Sequence, residues 1–128
     1  MMLKISDFVQ VLKAQYPDIT FFNGCIDKAS KCVGVYARGN ASPITAVGQK
    51  PSYSVLPATL LVHWGENSDE CETTANTLYE GLEAGIETIN NTRVIQIQML
   101  DSTPVNIGRD DENTCEMTLR INILYERR

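Results

Sequence analysis

RVIQIQML (93–100), DSTPVNIGRDDEN (101–113) and TCEMTLRINILY (114–125) run on from one another and decide the fold of this chain. In the third stretch Cys115, Met117, Leu119, Ile121, Ile123 and Tyr125 take the odd positions, while Glu116, Thr118, Arg120, Asn122 and then Glu126 take even ones. Successive side chains of a strand point to opposite faces, so this segment reads as a strand with one apolar and one solvated face. The first stretch alternates in the same way, Ile95, Ile97 and Met99 against Gln96 and Gln98. The two predict a long antiparallel hairpin with a charged tip at Asn106 to Asn113, in a sheet covered on one side only. The other face, lined with Gln, Thr, Arg and Asn, is left free for contacts.

The segments before this hairpin supply the cover. Asn67-Ser68-Asp69-Glu70 predicts a helix start, with Asn67 as the cap, Glu70 reaching back as in a capping box and Asp69 at the positive end of the dipole. Cys71, Ala75, Leu78 and Leu82 then recur at spacings of four, three and four, and Gly85 offers a left-handed stop before the turn Asn90-Asn91. A first helix is predicted from Ser6 to Gln15, with Ile5, Phe8, Val9, Leu12 and Tyr16 at helical spacing, Ser6 or Asp7 accepting from the first turn, and Pro17 ending it. Between the helices lie Ile19 to Phe22 as a short extended piece, the turn Asn23-Gly24, a strand from Cys32 to Ala37, and Ala58 to Trp64 as a central strand. Gly39 to Leu56 carries no sustained period and reads as a long loop, yet Ile44, Val47, Tyr53 and Val55 make it more apolar than a plain linker, which points to intermolecular contacts. The expected architecture is α+β: a mainly antiparallel sheet of about four or five strands with two helices packed on one face.

With 128 residues the chain fits one domain, expected to span 1–128, with a single core. Its composition, 43% hydrophobic and 21% charged, is that of an ordered globular protein. No apolar run is long enough to cross a bilayer, and Asp7 and Gln10 interrupt the N-terminus where a signal peptide needs an apolar stretch, so a cytosolic origin without membrane contact is expected. A net charge of -5 and no basic cluster argue against a tight, sequence-specific hold on nucleic acid. Such a surface is compatible with letting DNA pass.

Four cysteines, Cys25, Cys32, Cys71 and Cys115, show neither CxxC pairing nor zinc-like spacing. Cys71 and Cys115 fall on apolar faces and read as small core residues. Cys25 and Cys32 could approach across a turn, though a disulfide does not suit a cytosolic protein. The lone histidine, His63, sits mid-strand beside Trp64 and reads as structural rather than as a base. No GxSxG, P-loop, GxGxxG or HExxH occurs, so no catalytic residue and no cofactor is expected. Asp101, Asp110, Asp111 and Glu112 invite a metal, but their spacing is not that of an EF-hand and Arg109 supplies a counter-charge; the tip is expected to be solvated or to contact another subunit.

Three segments carry a family resemblance: the N-terminal helix, LPATLLVHWGENSDECETTANTLYEGLEA (56–84) and TPVNIGRDDENTCEMTLRINILYE (103–126). The second helix carries Ala75, Leu78-Tyr79 and Leu82 directly after a strand, and is followed by a Pro-x-x-x-Gly-Arg-Asp connector (Pro104 to Asp110) and a last strand ending in Ile-Leu-Tyr. In this the chain resembles the minor capsid or tail terminator proteins of long-tailed phages. The resemblance implies a non-enzymatic virion protein of the neck or tail end, assembled in the host cytoplasm. It would form a hexameric ring on the end of the tail tube, stop tube growth and offer a docking surface for the head-completion complex. Its partners would be copies of itself, the tail tube protein and a head-completion or connector protein. Arg38, Ile44, Val47, Lys50, Tyr53, Val55, Arg109, Asp110 and Asp111 are the candidate contact residues, with Arg38, Lys50 and Arg109 as ion-pair partners. Competing readings are another neck component, head closure or tail completion, and a small peptide-binding domain using a sheet edge. A small hydrolase or transferase built on Cys32 or His63 is the enzymatic alternative, and no spacing supports it.

Overall fold

The computed structural model describes residues 2–24, 31–39 and 53–126. Among these described residues two helices, α1 (Ile5–Gln15) and α2 (Ser68–Ala84), accompany seven strands: β1 (Phe21–Asn23), β2 (Lys31–Ala37), β3 (Tyr53–Trp64), β4 (Thr88–Ile89), β5 (Thr92–Met99), β6 (Val105–Arg109) and β7 (Cys115–Glu126). The expected α+β layout holds, but four or five strands was too few. Sheet order is β1-β2-β3-β7-β5-β4, with β6 also paired to β7. All pairings are antiparallel except β1 with β2.

Strand β7 organises the sheet, because β3 runs along one edge of it and β5 and β6 share the other. The predicted hairpin is therefore modified: β5 pairs with the C-terminal half of β7, from Ile121 to Tyr125, and the connector returns as a second strand, β6, opposite Cys115 to Thr118. The first half of the expected charged tip, Asn106 to Arg109, is strand, and the actual turn is Asp110 to Thr114.

The odd positions of β7 do face the core. Leu119, Ile121, Ile123 and Tyr125 are buried, and register places Leu60 opposite Leu119 and Ala58 opposite Ile121 on the same face. Val33 and Val35 of β2 continue that face, and one apolar cluster joins it to Phe8, Val9 and Leu12 of α1 and to Cys71, Ala75, Leu78 and Leu82 of α2. Both helices thus cover one side of the sheet. Each fully buried Leu or Ile contributes roughly 1.5–3 kcal/mol, so this single layer contact dominates the stability.

Strand β5 departs from simple alternation. The register slips between Val94 and Gln96, a β-bulge that leaves Ile95 as the extra residue, 46% exposed, and hands its inward place to Val94. Strand β3 starts at Tyr53, five residues before the expected Ala58, with Pro57 inside it. Proline is tolerated there because the Arg38 amide donates to the Pro57 carbonyl at 3.0 Å and Pro57 returns nothing, just where β2 ends at Ala37. Tyr53 and Val55, expected in a loop, consequently pair with Glu126 and Leu124.

The helix ends follow their caps. Asn67 accepts from the amides of Asp69 and Glu70 at 3.0 and 3.2 Å, whereas the Glu70 carboxylate, instead of reaching back, accepts from Lys31 Nζ at 3.3 Å. Asp7 accepts from the Lys4 amide at 2.9 Å and starts α1 one residue earlier than expected. Gly85 closes α2 at φ 97°, ψ 165°, a glycine region outside the left-handed helical well. Asn90 and Asn91, at φ 49° and 62°, make the tight turn from β4 to β5.

Candidate functional site

The even positions of β7 build the outer face, away from both helices, and the side chains there are bonded to one another. Arg120 grips Asp101 with two bonds, Nε to Oδ2 at 3.0 Å and Nη2 to Oδ1 at 2.7 Å. That grip holds the Asp101 carboxyl below its ordinary range and raises the Arg120 guanidinium. Arg38, just past β2, donates through Nη1 to the carbonyls of Ala58 and Ile121 at 2.9 and 3.1 Å and through Nη2 to Asn122 Oδ1. Burial, and next the charge of Arg120, lower its guanidinium from the usual value. Asn122 passes the chain of bonds to Gln98 Oε1 at 3.1 Å. This face therefore ties β2, β3, β7 and β5 together.

At the far end of β7, His63 lies between two carboxylates, Nδ1 3.1 Å from Glu116 Oε2 and Nε2 3.7 Å from Asp110 Oδ2. Its partners are invisible in sequence because Glu116 is its cross-strand neighbour in the β3–β7 register. Asp110 is itself committed to the turn: Oδ1 accepts from the amides of Glu112 and Thr114 at 3.0 and 2.9 Å. The Thr114 bond is the main reason its carboxyl sits below the ordinary range, with Glu112 and His63 acting in the same direction and burial opposing. Arg109 does not pair with the tip carboxylates; its Nη1 donates to the carbonyls of Glu66 and Asn113 at 3.0 and 2.9 Å and so fixes β6 to the start of α2.

A cleft of about 240 Å³ opens where α2 begins, lined by Ser68, Cys71, Asn106, Gly108, Arg109, Cys115 and Met117. His63 is not among its lining residues. The Cys71 thiol bonds the Cys115 carbonyl at 3.6 Å, and burial, followed by Cys115, pushes its pKa up to about 11, the behaviour of an inert core thiol. Cys32, Cys71 and Cys115 are all buried. Among the described residues no group of three or more His, Cys, Asp or Glu side chains is placed to hold a metal ion, and no helix is long and apolar enough to cross a membrane.

Of the candidate contact residues, Arg38, Arg109 and Asp110 make hydrogen bonds within the chain, Tyr53 and Val55 lie half-buried at the start of β3, and Asp111 is exposed in the β6–β7 turn. Ile44, Val47 and Lys50 fall outside the described residues, as do Cys25 and most of the expected loop. Sequence reasoning missed the exposed apolar residues of the β5–β6 line, because bulges do not show in periodicity.

Fold and surface together define a two-layer α+β protein, one sheet covered by two helices, whose outer face is a bonded polar lattice beside an open edge. The chain belongs to the bacteriophage tail terminator family, whose model matches residues 10–127. No curated protein and no solved structure matches it.

Proposed function

We propose that this protein assembles as a closed homo-oligomeric ring, a hexamer, on the end of the phage tail tube. There it stops tube polymerisation and presents the surface to which the head-completion complex docks. The observation that carries this reading is the family match across residues 10–127, which leaves out the first nine residues, among them the start of α1, and the last residue. The build of the chain supports it. An outer face locked by Asp101–Arg120 and Arg38–Asn122 is a rigid polar surface, and shape held in advance lowers the cost of association. Contacts between unlike patches close into rings when the rotation fits.

Under this reading residues 39–56, with Ile44, Val47, Lys50, Tyr53 and Val55, and the turn bearing Asp111 meet neighbours in the virion. Arg38, Arg109 and Asp110 act by holding those surfaces in shape. The protein is a structural component working in the virion neck after assembly in the host cytoplasm. Polymerising purified tail tube protein with and without this chain tests it. Tubes that stop short with an added ring at one end are expected; an unchanged length distribution would overturn the reading.

A further inference from the structure

Strands β5 and β6 are collinear, both antiparallel to β7, and form one long interrupted edge of the sheet. Beyond Thr92 and Arg93, which pair with β4, no strand among the described residues pairs with the outer side of this line. Such an edge leaves amides and carbonyls free to pair with another chain. Five large apolar residues stand exposed among the described residues, and four of them, Ile95, Leu100, Val105 and Ile107, lie on this line. The register slips twice, at Val94/Gln96 and at Asn106/Gly108, and the extra residue each time is an isoleucine, Ile95 at 46% and Ile107 at 54% exposure. Bulges at sheet edges re-aim side chains. Here both aim an isoleucine outward.

Charge says what covers the edge. Residues 92–109 carry two cations, Arg93, 69% exposed and only loosely paired with Glu126 at 3.9 Å, and Arg109, whose Nη1 bonds two carbonyls, against one carboxylate, Asp101, which Arg120 already holds. Helix α2 is the opposite: Asp69, Glu70, Glu72, Glu80 and Glu83 with no Lys or Arg between Ser68 and Ala84. Among the described residues only Glu70 of these has an ion pair, to Lys31, and all five are exposed. Covering a strand edge with a helix is a common way of satisfying it, and carboxylates accept well from edge amides.

We infer that the β5–β6 edge of one copy receives the acidic face of α2 from a second copy, with Ile95 and Ile107 as apolar anchors. The inference rests on the ring reading above and names its contact. The patches differ, so the contact runs head to tail and propagates around a ring.

Two folded variants test it, each checked by circular dichroism: an edge variant, Ile95→Asp with Ile107→Asp, and a helix variant, Glu72→Lys with Glu80→Lys and Glu83→Lys. Sedimentation is measured over a concentration series, and tube length is followed in parallel. The wild type is expected to form closed oligomers, and each variant alone to stay monomeric, a loss of about a hundredfold or more in association. Mixed one to one, the variants are expected to give dimers that grow no further, because each contributes its one intact patch. A helix variant that assembles like the wild type, as direct edge-to-edge pairing would give, overturns the inference. So does a mixture that forms no dimer, or a wild type monomeric at every concentration both free and with tubes. If the variants assemble normally while all three chains stop tube growth, the contact is wrong and the ring reading stands. If the mixture dimerises but no chain affects tubes, the contact is right and the tail reading fails.

Discussion

Gly81 sits inside α2 where the side chain of Tyr16, the residue that ends α1, comes against the helix. A Cβ at Gly81 would lie 2.0 Å from Tyr16 Oη and 3.3 Å from Cζ. In an open helix Gly81→Ala gains about 1 kcal/mol, since alanine lowers backbone entropy in the unfolded chain. Here the ring tip must retreat by about 1.5 Å to reach ordinary contact. Tyr16 also packs on Phe21 with centroids 6.3 Å apart, so the retreat loosens the junction of α1, α2 and β1. Overpacking of this severity costs about 3 kcal/mol, leaving a net loss near 2 kcal/mol. Removing the hydroxyl leaves Cζ as the nearest atom, so in a Tyr16→Phe background Gly81→Ala should be neutral or stabilising by up to about 1 kcal/mol. Urea denaturation of the four chains, followed by fluorescence of Trp64 and by circular dichroism, gives the cycle. The expected coupling is about 2–3 kcal/mol. Equal effects of Gly81→Ala in both backgrounds would refute the helix contact.

Asn67→Ala removes the cap that two amides of α2 depend on, and is expected to lower stability by about 1 kcal/mol in a thermal melt. The Asp101 carboxyl is depressed on folding, so its contribution is present above the unfolded carboxylate value and is lost as pH falls through the folded one. Asp101→Asn should therefore be less stable than wild type at neutral pH, with the gap narrowing below about pH 4 in urea titrations at stepped pH. Cys71, buried and with its thiol pushed up to about 11, is expected to resist iodoacetamide at pH 8 in the folded protein and to react once urea unfolds it. Mass spectrometry of the labelled peptides reads the difference.

The parts of the fold legible in sequence were those with strict period. The odd positions of β7, the stripe Cys71, Ala75, Leu78 and Leu82, and the Asn67 cap all landed where local chemistry put them. Misreadings came where tertiary pairing overrides a local signal. Tyr53 to Leu56 belong to a segment without sustained period and so read as loop, whereas β3 runs through them and through Pro57, which sits where β2 ends and no donor is needed. Pro104 and Gly108 hide β6, whose five residues are all exposed and follow no alternation. Ile95 keeps the alternating pattern in sequence and is turned out only by the bulge. His63 looked solitary because Glu116 and Asp110 are brought to it by strand register and by the β6–β7 turn.

On the proposed reading this chain acts through contact with its own copies at the end of a tail tube. Electron cryomicroscopy of tubes grown from purified tube protein in the presence of this protein tests that most directly. One closed ring of this chain, sheet edge against neighbouring helix, is expected on a tube that has stopped growing. Bare tube ends of unrestricted length, with the protein left as monomers in solution, would contradict it.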